Sequence, residues 1–174
     1  EGNGKPPSET AIHAEIYRKR GDVQSVIHNH SEMAIAFTMM KGVKLLPMRA
    51  RAARWKDGFP VHNDPSHIKR KEQGIALAET LGSHNVALMR AHGMVLVAES
   101  VPALLADTVH FEENAKAQAE TMAMGAEIEP LTDEEMATIL KTEARDHHNK
   151  KLWQYYVSRG LKAGILEKSW ELAS

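Results

Sequence analysis

The chain reads as an α/β layered domain on three observations: short apolar runs interleave with helical patterns, turn residues separate most of them, and two strand-like runs end in histidine. Gln24-Ser25-Val26-Ile27 closes on His28-Asn29-His30, and Ala87-Leu88-Met89-Arg90-Ala91 closes on His92-Gly93. Side chains alternate along a strand, so His28 and His30 share a face while Asn29 points away. His92, from a neighbouring strand end, would give a divalent ion a third imidazole and leave it open positions, as in catalytic rather than structural sites. Taken alone, an HxH pair in a chain with ten histidines reads equally well as two exposed histidines.

In order along the chain, Ser8 is expected to cap a helix running to about Arg20, with Ile12, Ile16 and Tyr17 on its buried side. Gly21-Asp22 ends it, and a strand covers about Gln24 to His30. A short helix follows over Glu32 to Met40, then a Gly42 turn and an extended stretch from Val43 to Met48. Asp57-Gly58 and Asn63-Asp64-Pro65 are turn signals, after which Ser66 is expected to cap a helix ending near Leu81-Gly82. Asn85 to Ala91 and Met94 to Ala98 read as strands with His92-Gly93 at the hairpin tip. Glu99-Ser100 is a turn and cap for the longest helix, Val101 to Met124, which Gly125 stops. Thr132-Asp133-Glu134-Glu135 fits a capping box, and a last helix contains Trp153, Tyr155 and Tyr156. The expected organisation is a single domain over residues 1–174, with residues 126–174 as a C-terminal helical tail. Glu1-Gly2-Asn3-Gly4-Lys5-Pro6-Pro7 looks like a loop entered midway, so an upstream segment is expected.

Composition narrows the chemistry. At 174 residues, 43% hydrophobic and with a formal net charge of −1, the chain shows no basic bias toward nucleic acid. With no cysteine, any metal is held by imidazole, carboxylate and water, and a reducing cytoplasm fits. No apolar run approaches the roughly 20 residues of a membrane span. A nucleophile elbow and a phosphate-cradling glycine loop are both missing.

Ser8-Glu9, Ile12-His13-Ala14-Glu15-Ile16-Tyr17, Asp22-Val23, Val26-Ile27-His28-Asn29-His30 and Arg90-Ala91-His92-Gly93 together resemble the class II aldolase/adducin family over roughly Pro7 to Gly125. The resemblance implies a three-layer α/β/α fold around a mostly antiparallel sheet, assembly as a homotetramer, and a divalent ion held by His28, His30 and His92. Zinc, manganese, cobalt and iron all suit such ligands. It also assigns Glu9 as the acid/base carboxylate; without it, Glu9 reads as a first-turn acid complementing the helix dipole. His13, one turn on, is expected to be a packed or solvated helix histidine. The adducin branch generally lacks the metal histidines, so their presence points to an enzyme.

Departures from the sugar-phosphate aldolase pattern steer the substrate. Those aldolases commonly place two serines before the glutamate to hold phosphate, whereas this chain has Pro7-Ser8-Glu9. After Pro47, where they use a tyrosine, the chain reads Met48-Arg49-Ala50-Arg51-Ala52-Ala53-Arg54-Trp55. Arg51, helped by Arg49 or Arg54, is expected to pair with a substrate carboxylate; a solvated basic loop or a salt-bridged subunit contact is the alternative. Phe111-Glu112-Glu113-Asn114-Ala115-Lys116-Ala117-Gln118 and Trp153-Gln154-Tyr155-Tyr156 look like members that decarboxylate hydroxylated aromatic or heteroaromatic acids. The expected activity is therefore a metal-dependent carbon–carbon lyase acting on a small hydroxy acid, a decarboxylase ahead of an aldolase, with Ser8 and Arg51 binding substrate. A non-catalytic adducin-like assembly module is the alternative from another class.

Overall fold

Residue alternation along the two central strands sorts the core onto two faces. The computed structural model describes residues 4–170; Glu1 to Asn3 of the expected entry loop and the last four residues of the expected tail lie outside the described residues. In β3 (Val86–Met89), Val86 and Leu88 join one apolar cluster, and Ala87 and Met89 the other. In β4 (Gly93–Ala98), Met94, Leu96 and Ala98 take the first side, and Val95 and Val97 the second. Both strands are buried throughout, as strands covered by helices on both faces must be.

β1 (Ser25–Asn29) pairs antiparallel with β4, β4 antiparallel with β3, and β2 (Val61–His62) parallel with β3, giving the order β1-β4-β3-β2. α1 (Thr10–Lys19) and α3 (Lys71–Leu81) cover one face. α2 (Glu32–Met39) and α4 (Val101–Ala123) cover the other, which makes three layers. Gly74 lets α1 and α3 approach closely, because a Cβ there would lie 2.5 Å from the Ala11 carbonyl oxygen. Beyond these layers α5 (Asp133–Thr142) packs on a 3₁₀ segment (Ala50–Trp55), and α6 (Arg145–Lys162) packs on α4.

Caps form as expected at Ser100 and Thr132, which accept from the Ala103 and Glu135 amides while Glu135 reaches back to the Thr132 amide, and Ser31 caps α2 by accepting from the Ala34 amide. Each such cap contributes about 1 kcal/mol. Gly125 stops α4 with φ +74°.

Several expectations are corrected. Glu9, not Ser8, occupies the α1 cap position, and Ser8 is exposed. Tyr17 is exposed, while Ile12 and Ile16 are fully buried as expected. Ser66 caps nothing: α3 begins at Lys71, because the Ile68 amide is bound by the Glu9 carboxylate and its side chain is fully buried, which fixes residues 66–70 outside the helix. The stretch from Val43 to Met48, expected only to be extended, forms no strand ladder and pairs with side chains. Gln118 accepts from the Leu46 amide and donates to the Lys44 carbonyl, and Asn114 accepts from the Met48 and Arg49 amides and donates to the Leu46 carbonyl. Two buried amides of α4 thus do the work of a neighbouring strand.

Candidate metal centre

His28 lies in β1 with Val26 on its side of the pleat, the side that packs toward α1 and α3. His30 follows the strand end with the same parity. His92 sits in the turn between β3 and β4, where Ala91 adopts φ +52° and Gly93 opens β4 against the Asn29 backbone. Glu9 comes from the start of α1.

These four residues converge. One ligand atom from each of Glu9, His28, His30 and His92 lies within 4.8 Å of the other three. The imidazole centroids form a near-equilateral triangle of 5.2, 5.0 and 5.1 Å. His28 Nδ1 donates to the Met94 carbonyl at 2.9 Å, which leaves the Nε2 lone pair free for the centre. The Nε2 atoms of His28 and His92 are buried and make no hydrogen bond among the described residues. Each faces a Glu9 oxygen, at 3.4 and 3.5 Å. Buried imidazole nitrogens without partners are costly, so their shared orientation fits a divalent cation at this point.

Glu9 is held in place: its Oε1 accepts the Ile68 amide at 2.9 Å. Burial raises its pKa, but the Ile68 hydrogen bond and the His92, His28 and His67 charges outweigh that and leave it below the ordinary carboxylate value. Burial pushes the His92 pKa down, against the pull of Glu9.

His67 was not legible as a site residue. Its Nδ1 lies 3.7 Å from Glu9 Oε1 and its ring is centred 5.3 Å from that of His92, yet it arrives on an irregular loop with no periodic pattern to reveal it. Arg51 is placed elsewhere. It pairs with Glu143 at 2.8 Å and lines a cavity between the 3₁₀ segment, α5 and α6 that none of the four converging residues borders. Arg49 pairs with Glu113, and Arg54 is bound to the buried Asp107. Trp153 is buried against Trp170, whereas Tyr155 and Tyr156 are exposed, so the three do not line one aromatic pocket.

Residues 1–119 match the family described as Class II Aldolase and Adducin N-terminal domain. The chain belongs to this family. It is 32% identical over 136 residues to Decarboxylase NovR of Streptomyces niveus, covering 74% of this chain and 50% of that protein. It is 29% identical to Decarboxylase tropJ of Talaromyces stipitatus over 91% of this chain and 66% of that one. To the L-fuculose phosphate aldolase of Methanocaldococcus jannaschii it is 29% identical over 65% of this chain and 60% of that one. The chain spans about half the length of the first curated relatives it matches. Among solved structures, an aldolase II superfamily protein from Pseudomonas syringae superposes with a TM-score of 0.78 at 22% identity, over 94% of this chain and 66% of that one. The likeness confirms the class II aldolase fold. No described helix is long and apolar enough to cross a membrane.

Proposed function

We propose that the protein is a divalent-metal-dependent carbon–carbon lyase that decarboxylates a hydroxylated aromatic or heteroaromatic acid. The observation that carries this reading is the convergence of three imidazoles and Glu9 on one point with buried nitrogens unpaired. His28, His30 and His92 would hold the ion, one of zinc, manganese, cobalt or iron. Bound there, it supplies Lewis acidity toward adjacent oxygens of a substrate.

Glu9, ionised at neutral pH, takes the proton of the substrate hydroxyl and returns it to the ring carbon after the bond to the departing carbon dioxide breaks. The Ile68 amide orients that carboxylate. Ser8 and Arg51 are the substrate contacts, Arg51 reaching the metal centre of a neighbouring subunit in a cytoplasmic homotetramer. Decarboxylation is favoured by the names of relatives, which include a 3,4-dihydroxyphthalate decarboxylase of Arthrobacter keyseri at 23% identity over 91% of this chain. The fuculose phosphate aldolase relative supports an aldolase as second reading, against which stands the single serine before Glu9.

Metal-loaded protein should release carbon dioxide from an ortho-hydroxy aromatic acid. Glu9→Gln, which can still accept from Ile68, should keep metal and fold and lose about 10²–10⁴-fold in turnover. Cleavage of a phosphorylated ketose with no carbon dioxide from any aromatic acid would replace the decarboxylase with the aldolase.

A further inference from the structure

A second concentration of titratable groups lies away from the metal centre, in a cavity of about 480 Å³ where α5 and the start of α6 meet the 3₁₀ segment. Its wall carries Arg51, His147, His148 and Lys151, one acid, Glu143, and the apolar side chain of Ile139. We infer that this cavity is a binding site for a small organic carboxylate with an apolar body. The inference keeps the carboxylate-binding role proposed for Arg51 but places it in this cavity of the same chain, so it goes beyond that reading and holds for the metal-free chain.

The charges decide the sign of the ligand. Arg51 and Lys151 face a single carboxylate, leaving a surplus cation before any histidine is protonated. Neighbouring acids are already engaged: Glu113 with Arg49 and His110, and Asp107 with Arg54 and Arg145. Arg51 already binds one carboxylate, Glu143, through Nη1 at 2.8 Å, which leaves the rest of its planar donor edge for a second. His148 is fixed on the wall because its Nε2 lies 2.8 Å from His110 Nε2 and the two rings share a hydrogen. Burial chiefly disfavours protonation of His148, with Arg51 and Lys151 adding to it and Glu143 opposing it. The volume lies within the roughly 300–1,000 Å³ typical of small-ligand sites, and Ile139 with the alanines at 50 and 144 gives an apolar floor for a ring.

The test is calorimetric titration of the full chain, stripped of metal, with benzoate and with benzamidine, its cationic match in shape. Benzoate should bind once per chain and benzamidine should not. Arg51→Gln should weaken benzoate at least about tenfold, as loss of a charge-assisted contact does. Lys151→Gln, at an exposed helix position, should weaken it several-fold. His28→Ala should change nothing. Equal binding of the two probes, wild-type affinity in both the Arg51 and Lys151 variants, or loss of benzoate in His28→Ala overturns the assignment. Wild-type protein that binds benzoate but releases carbon dioxide from no hydroxy acid would refute the decarboxylase reading and leave this site standing.

Discussion

Gly93 presses on Asn29 so closely that a Cβ at Gly93 would lie 2.2 Å from the Asn29 carbonyl oxygen. That contact joins the two histidine-bearing segments, since Asn29 stands between His28 and His30 and Gly93 follows His92. The spacing of the three imidazoles is therefore set by backbone against backbone, where no rotamer change can relieve a clash.

Gly93→Ala should destabilise the fold by about 1–3 kcal/mol or more, the usual cost of overpacking. It should also weaken metal binding, because separating β1 from the β3–β4 turn widens the imidazole triangle. Thermal melting with and without added zinc checks both; an unchanged melting temperature and unchanged metal affinity would show that the strands part without consequence.

Asn114→Ala removes the partner of the Met48 and Arg49 amides and of the Leu46 carbonyl at once. Each polar group left unpaired and dry costs about 1–3 kcal/mol, so chemical denaturation should find Asn114→Ala among the more destabilising single changes on α4. Amide hydrogen exchange should quicken at Met48 and Arg49 in the variant while β3 stays protected. Uniform loss of protection instead would mean that the segment has no local anchor.

The histidine pair and Asn114 mark the limits of what could be read in advance. His28 and His30 were legible because strand alternation is local, and the antiparallel β3–β4 hairpin because both arms are apolar runs around a short turn. Glu9 needed the family resemblance, since its place beside His92 and Ile68, far along the chain, is set by tertiary packing. β2 was missed because two residues between Pro60 and Asn63 carry no period. The segment from Val43 to Met48 has a strand's residues, but its partners are side chains on a helix that no pattern in the segment itself predicts. His67 and the Arg51 cavity arise from tertiary placement alone.

Burial holds the imidazoles of His62, His110 and His148 below the ordinary value of 6.5. The unfolded chain therefore binds protons at higher pH than the folded one, so stability is full above about pH 6.5 and is lost as pH falls toward the folded-state values. His110 and His148 sharpen the effect, because the Nε2 atoms 2.8 Å apart cannot both carry a proton unless α6 moves from α4. Glu113, Asp107 and Glu143 favour protonation around this pair, and Arg51 and Lys151 oppose it. The denaturation midpoint of metal-free protein should be lower at about pH 5.5 than at about pH 7.5, and His148→Gln should reduce the difference. A midpoint independent of pH over that window would contradict this account.

The proposed lyase requires His28, His30 and His92 to hold one divalent ion. Metal content of the folded wild-type chain and of the three single alanine variants, measured by elemental analysis after dialysis against zinc or manganese, tests it most directly. One ion per wild-type chain and loss of most of it in each variant are expected; a folded His92→Ala protein that keeps a full ion removes His92 from the ligand set.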